Sequence, residues 1–156
     1  MSEFVVSRRI FEMLAKHLIS IEEEKTCVIE KYYPEWTNER SDFQELLSTY
    51  ISNVEDIVSN KVKVNDKVAD ACPFVIIGSN IVLKDTYTNK LESLQIVSPF
   101  WPDMNFDANS ASYLSPMGRA FLLRKVHDDV KVETPMGIFQ YKIESIELPA
   151  DVFQFM

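Results

Sequence analysis

The sequence predicts an α+β protein, in which an N-terminal antiparallel helical hairpin is followed by an antiparallel β-sheet domain with one short helix. Two observations indicate this. The first 61 residues contain no glycine and a single proline, whereas the remainder contains all three glycines and six of the seven prolines. Apolar residues recur every three or four positions in the first part and every second position in the rest, which are the periods of a helix and of a strand. The change predicts two domains, residues 1–61 and 62–156.

The first helix is predicted over residues 7 to 33. Ser7 can cap its N-terminus, because a serine side chain there accepts a backbone N–H. Pro34 ends the helix, because the residue before a proline disfavours the α conformation. The EEEK run at 22–25 is expected mainly on the solvent side. The apolar face consists of Ile10, Leu14, Leu18, Ile21, Val28 and Tyr32.

The second helix is predicted over residues 41 to 59, with Ser41 as a plausible N-cap. The short connection PEWTNER at 34–40 favours an antiparallel hairpin or coiled coil, although two helices of an ordinary bundle would show the same periodicity. At 1.5 Å per residue this helix spans about 28 Å and the first about 40 Å, so arms of unequal length are expected. Its apolar stripe consists of Phe43, Leu46, Leu47, Tyr50, Val54, Ile57 and Val58.

Short strands are predicted over residues 74–77, 81–83 and 90–97, separated by turns at 78–80 and 86–89. Residues 97–109 contain Pro99 and Pro102 and are expected to form an irregular loop.

A short helix is then predicted from Ser115 and Pro116 to about residue 124, because serine suits the N-cap and proline the first helical position. Residues 130–134 alternate as a strand does. Pro135 and Gly137 suit the second and fourth positions of a type I turn. The returning strand contains Phe139, Tyr141 and Ile143.

The composition excludes some classes of function. A net charge of −8 disfavours wrapping of DNA or RNA by this chain alone, because phosphate neutralisation dominates such affinity. The N-terminal residues lack the apolar core of a signal peptide, and no apolar run approaches the length that spans a bilayer. We therefore expect a cytoplasmic protein without a membrane partner.

Cysteines and histidines are too few and too scattered to predict a metal site or a nucleophile. Cys27 and Cys72 lie outside any C-x-x-C spacing and are expected to be ordinary buried or half-buried thiols. His17 and His127 have no neighbouring Ser or Cys in a recognisable catalytic motif and are expected to be surface or half-buried residues. No metal is expected in the free protein.

Five segments of the second half occur in the order and spacing of a known family. They are FVIIGS at 74–79, IVLKD at 81–85, SPMGRA at 115–120, VKVETPMG at 130–137 and YKI at 141–143. These segments resemble the C-terminal domain of the Gre-type transcription elongation factors (GreA/GreB), with Ile77 in place of the usual Phe of V-x-F-G-S. All three glycines fall on motif positions, and the resemblance covers about half of the chain.

The resemblance implies that the second domain has the Gre C-terminal fold, which is similar to that of FKBP-type prolyl isomerases, and that the first is a coiled-coil hairpin. It implies that RNA polymerase is the partner and that the hairpin enters the secondary channel of the polymerase. The chain would contact nucleic acid only within the transcription complex. The chain itself would be a monomer without a cofactor and not an enzyme. The candidate docking residues, which also suit turns and helix ends, are Ser115, Pro116, Met117, Gly118, Arg119, Thr134, Pro135 and Gly137.

In Gre cleavage factors an acidic pair at the hairpin tip helps to hold Mg²⁺ and a water at the polymerase active site, where the metal acidifies the water. The family's tip motif D-L-x-E-N-x-E-Y is absent as written. Glu39 and Asp42 have the three-residue spacing of that pair and are the candidate catalytic residues, with Mg²⁺ shared with the polymerase. Carboxylates near a helix N-terminus also interact favourably with the helix dipole, so helix stability alone can explain the acidic pair. The alternative that the hairpin occupies the channel without chemistry is therefore retained.

A prolyl isomerase is the other alternative. It depends on fold analogy alone and needs a concave apolar pocket lined by aromatic side chains, which no residue pattern singles out.

Overall fold

The computed structural model describes residues 4–100 and 109–149, and these form two compact units, residues 4–70 and 71–149. The predicted boundary after residue 61 lies inside the first unit. A short strand at Val62–Val64 pairs with the N-terminal strand Phe4–Val6 and so belongs with the hairpin. The division falls after Asp70 instead.

The first unit is a helical hairpin closed at its base by two strands. Its elements are β1 (Phe4–Val6), α1 (Arg8–Tyr32), α2 (Asn38–Asp56), a π-helical turn (Ile57–Lys61) and β2 (Val62–Val64). The predicted α1 is confirmed at both ends, since Ser7 Oγ accepts the N–H of Ile10 at 3.3 Å and the helix stops before Pro34.

The second helix begins earlier than predicted. Thr37, not Ser41, is its N-cap, with an extended backbone and a side-chain oxygen that accepts the N–H of Arg40 at 3.2 Å. Ser41 lies inside the helix. The regular helix ends at Asp56, so α2 has 19 residues against 25 in α1, and the expectation that the second helix is the shorter one is confirmed. The π-helical turn continues the second arm from Ile57 to Lys61.

The core of the first unit lies between α1 and α2, as the apolar spacing predicts. Two polar residues of α1, His17 and Glu24, are buried in the same region at 3% and 1% exposure. The EEEK run is thus only partly on the solvent side. The buried apolar side chains of the two helices are Ile10, Met13, Leu14, Ile21 and Val28 with Phe43, Leu47, Tyr50, Ile51 and Val54.

Strands β1 and β2 run parallel, with Phe4 opposite Val62 and Val6 opposite Val64. The N–H of Asn65 extends this pairing by donating to the carbonyl oxygen of Val6 at 2.9 Å. The N–H of Arg8, at the start of α1, donates to Asp66 Oδ1 at 3.2 Å. This strand pair, which no sequence pattern predicted, brings the two ends of the hairpin together.

The second unit is a five-stranded sheet with one helix, in agreement with the predicted α+β class. Its strands are β3 (Asn80–Asp85), β4 (Leu91–Val97), β5 (Ser110–Ser112), β6 (Asp129–Thr134) and β7 (Gly137–Glu147), and α3 is Pro116–Phe121. The spatial order is β5-β4-β3-β7-β6. All neighbours are antiparallel except β4 and β5, which are parallel. The unpredicted β5 lies at one edge.

Residues 74–77 do not form the predicted strand, although all four are fully buried. Phe74 and Val75 pair with the segment after α3. The N–H of Val75 donates to Arg124 O at 2.9 Å, and Val75 O accepts the N–H of Leu123 at 2.7 Å. Leu123 has a φ of 65°, a conformation that a helix cannot contain, which explains why α3 ends before the predicted residue 124.

Helix α3 contacts β5 and β6, and its Phe121 ring lies 5.9 Å from that of Tyr141 on β7. Gly118 permits the close approach, because a Cβ there would overlap the Ser112 carbonyl oxygen and lie 2.7 Å from its carbon. Over the described residues, no helix is long and apolar enough to cross a membrane.

Candidate functional site

The connection between α1 and α2 forms the tip of the hairpin and carries an exposed aromatic residue. Trp36 is 79% exposed. The guanidinium of Arg40 lies over its ring, with Cζ at 3.7 Å from the ring centroid. At that distance the cation is attracted to the negative face of the indole. The tip therefore presents a stacked cation and indole rather than a bare turn.

Arg40 is held in place by the connection itself. Its Nη1 donates to Pro34 O at 3.1 Å, and its backbone N–H donates to the capping Thr37 side chain. Its Nε is enclosed and has no hydrogen-bond partner among the described residues.

The candidate catalytic pair lies in the first two turns of α2. Glu39 and Asp42 are both exposed, and their three-residue separation in a helix places them on the same side. Within the described residues neither forms an ion pair, and no group of three or more His, Cys, Asp or Glu side chains could hold a metal ion. A magnesium ion at this pair would need further ligands from a partner.

The interior of the hairpin contains a polar contact between the helices. His17 Nε2 lies 2.7 Å from Tyr50 Oη, and the two rings meet edge to face with centroids 5.8 Å apart. Burial lowers the pKa of His17 to about 3, because the charged imidazolium would lose its hydration. The histidine is therefore neutral at physiological pH.

The prediction that His17 is a surface or half-buried residue is wrong, whereas His127 is exposed as expected. The spacing of α1 contains the missed signal. His17 follows Leu14 by three positions and precedes Ile21 by four, which places it on the apolar face. Glu24 has the same relation to Ile21 and Val28. The prediction was wrong because it followed the polar residue type of His17 and Glu24 and not their helical spacing.

The first candidate docking segment starts α3. Ser115 is the N-cap, because its Oγ accepts the N–H of Gly118 at 3.1 Å and donates to Ser112 O at 2.7 Å. Pro116 and Arg119 are exposed, Met117 is half-buried and Gly118 is buried. Pro116 and Arg119 are thus the residues of this segment most available to a partner, while Ser115 and Gly118 shape the helix start.

The second candidate segment is the turn between β6 and β7. Thr134 Oγ1 donates to Gly137 O at 3.0 Å and accepts the N–H of Met136 at 3.1 Å. Pro135 is exposed, Met136 is 90% exposed, and Gly137 has a φ of 135° that disfavours other residues. Since α3 packs on β6, the two candidate segments belong to neighbouring elements.

An open groove of about 790 Å³ lies beside the start of α3 and is lined by β4, β5 and residues such as Leu83, Leu94 and Met117. None of the lining residues is aromatic. This groove is therefore not the aromatic-lined pocket that a prolyl isomerase needs.

The family model described as "Transcription elongation factor, GreA/GreB, C-term" matches residues 70–148, which is about half of the chain. The chain belongs to the GreA/GreB family. The match coincides with the second unit, the part in which the sequence motifs occur.

Three relatives named Transcription elongation factor GreA illustrate the similarity. The chain is 32% identical over 72 residues to that of Syntrophus aciditrophicus, covering 46% of this chain and 44% of the relative. It is 31% identical over 103 residues to that of Thermotoga petrophila (66% and 64%) and 28% identical over 117 residues to that of Thermosipho melanesiensis (71% and 72%). The chain thus spans less than two thirds of the first two relatives.

Two solved structures of the GreA/GreB family align over nearly the whole chain. The GreA factor homolog 1 (Gfh1) of Thermus thermophilus is 23% identical with a TM-score of 0.41, covering 93% of this chain and 99% of that one. A GreA/GreB factor from Nitrosomonas europaea is 17% identical with a TM-score of 0.46, covering 94% and 98%.

Proposed function

We propose that this member of the GreA/GreB family is a transcription elongation factor that binds RNA polymerase, with its helical hairpin in the secondary channel. The observation that carries the proposal is the family match over the second unit, in a chain whose first unit is an antiparallel hairpin with an exposed tip. The chain contacts nucleic acid only within the transcription complex, because its net charge of −8 opposes independent binding to phosphates.

Docking on the polymerase uses the start of α3 and the β6–β7 turn. Pro116 and Arg119 on α3 and Pro135 and Met136 on the turn are exposed and lie on neighbouring elements, so one partner surface can contact both. Ser115, Gly118, Thr134 and Gly137 act in docking by fixing the backbone of these segments.

The docking proposal is tested with the full-length chain and purified core polymerase in a pull-down. Arg119→Ala together with Pro135→Ala is expected to reduce binding strongly. Tyr87→Ala, which removes a 71% exposed aromatic side chain from the β3–β4 turn, is the matched control and should bind as the unaltered chain does. Undiminished binding by the double variant would remove these segments from the docking surface.

Stimulation of transcript cleavage by the polymerase is the first mode of action. Glu39 and Asp42 are exposed and on one side of α2, so their carboxylates can complete the ligand set of a metal that the polymerase also holds. When bound, Mg²⁺ supplies a water of lowered pKa for attack on the phosphodiester. The chain would then orient that metal and would not be an enzyme itself.

Occupation of the channel without chemistry is the second mode, and the tip itself favours it. The exposed Trp36 and the Arg40 guanidinium are next to the acidic pair and add bulk and a positive charge there. A cleavage assay on backtracked complexes separates the two modes. Glu39→Gln with Asp42→Asn should abolish stimulation under the first mode; a wild-type chain that binds yet leaves the cleavage rate unaltered supports the second.

A further inference from the structure

The hairpin tip has the composition of an anchor for a protein surface. Trp36 is the most exposed aromatic residue in the described part of the chain, at 79%. Tryptophan and arginine are over-represented among the residues that dominate binding energy at protein interfaces, because each combines a large contact area with directional polar groups. Here the two residue types are adjacent and in contact.

The anchor is ordered before any partner arrives. The Arg40 guanidinium stacks on the Trp36 ring at 3.7 Å, and the Nη1 bond to Pro34 O at 3.1 Å ties that guanidinium to the backbone of the connection. A side chain held in one geometry loses less conformational entropy on binding than a mobile one does.

The charges around the anchor indicate the chemistry of the partner. Glu35, Glu39 and Asp42 are exposed, and none forms an ion pair with another described residue. Against these three carboxylates, residues 33–42 contain one cation, Arg40, which already covers a face of the indole, and Lys31 lies in the last turn of α1. Phosphate groups would be repelled by this surface, whereas lysine and arginine side chains would be attracted.

We propose that Trp36, braced by Arg40, inserts into an apolar pocket on a protein partner and that the surrounding carboxylates contact basic residues at the rim of that pocket. The inference rests on the proposed function, so the partner is RNA polymerase at the place that the tip reaches. Glu39 and Asp42 then contribute to binding. Arg40 is a positioning residue, because it acts through the indole.

The test measures binding of the full-length chain to immobilised core polymerase without nucleic acid. Trp36→Ala is expected to weaken binding at least about thirtyfold, the effect of a dominant interface residue, and Trp36→Phe should recover part of it. Arg40→Gln should give an intermediate loss. Tyr87→Ala, a similarly exposed aromatic on the other unit, should stay within about twofold. Circular dichroism is expected to show the same helix content for all variants, because Trp36 contributes to no core.

The carboxylates are tested by salt dependence. Glu35→Gln, Glu39→Gln and Asp42→Asn combined should weaken binding at low salt and flatten its dependence on salt concentration, because fewer ion pairs are then screened. An affinity and salt dependence equal to those of the unaltered chain would contradict the basic rim.

The outcomes separate the inference from the function on which it rests. Absence of polymerase binding by the unaltered chain would overturn both. Binding that Trp36→Ala leaves within twofold would overturn the anchor alone. A single-stranded oligoribonucleotide that binds the unaltered chain but not Trp36→Ala would also overturn it, because the indole would then be a platform for nucleobases.

Discussion

Acidification is expected to destabilise the hairpin through His17, because this side chain is buried in its neutral form and hydrogen-bonds Tyr50 across the two helices. In the unfolded chain the imidazole binds a proton near its ordinary pKa of 6.5, whereas in the folded chain burial lowers its pKa to about 3. Between these values the unfolded state binds the additional proton. The stability that His17 provides is therefore present above pH 6.5 and is lost as the pH falls toward 3.

The magnitude follows from the two pKa values. Each pH unit between them changes the free energy of unfolding by about 1.4 kcal/mol, so a fall to about pH 4.5 should cost about 2.7 kcal/mol. No discount for solvent screening applies, since the residue is only 3% exposed. Such a loss is a large fraction of the stability of a small unit.

The assay is urea unfolding followed by far-ultraviolet circular dichroism at about pH 7 and about pH 4.5. This signal reports mainly on α1 and α2, because α3 has only 6 residues. For m-values of about 1–3 kcal/mol per molar, the midpoint of the unaltered chain should fall by about 1–3 M. His17→Gln keeps a hydrogen-bonding partner for Tyr50 and cannot be protonated, so it should start less stable but lose about 2.7 kcal/mol less on acidification.

Carboxylates also titrate in this range, so the comparison between variants decides the matter. His127→Asn is the control, because His127 is exposed and its φ of 74° is one that asparagine tolerates. It should keep the pH dependence of the unaltered chain. If His17→Gln lost as much stability as the unaltered chain between the two pH values, the assignment to His17 would be refuted.

Three further predictions concern packing, capping and thiol reactivity. Gly118→Ala should unfold or severely destabilise the second unit, because the added Cβ would overlap the backbone of Ser112; a thermal melt with a loss below about 1 kcal/mol would contradict this. Thr37→Ala should cost about 1 kcal/mol by removing the N-cap of α2, measured by urea unfolding, whereas Thr37→Ser should be nearly neutral. Cys27 is exposed, so the expectation that it is a buried or half-buried thiol is wrong, and it should react with a thiol reagent in the native chain. Cys72 is buried, burial raises its pKa to about 12, and it should react only on unfolding; two rapidly reacting thiols would refute this.

Local chemistry explains what could be predicted from the sequence. Ser7 and Ser115 cap helices where expected, and Pro34 stops α1, because each acts on its own backbone within a few residues. The alternation in residues 130–134 predicted β6, because it is likewise visible within a few neighbouring residues.

The elements that escaped prediction depend on distant parts of the chain. Strands β1 and β2 are three residues each, too short for a period to be visible, and pair only because the hairpin returns to its start. Residues 74–77 have the composition of a strand, yet Phe74 and Val75 pair with residues 123–125 after α3. For the candidate site, exposure of Glu39 and Asp42 at a helix start was predictable, whereas the Arg40 stack on Trp36 depends on the rotamers of the folded connection.

The parallel pairing of β1 with β2 has a consequence for how the hairpin tolerates replacement. Because Val6 and Val64 lie side by side, the chain enters and leaves the arm at adjoining points. Such an arm can be exchanged as a cassette between relatives, since any replacement with neighbouring ends leaves the flanking chain on its path. A change of sequence or length at the tip therefore leaves the polypeptide on both sides of the arm on its course.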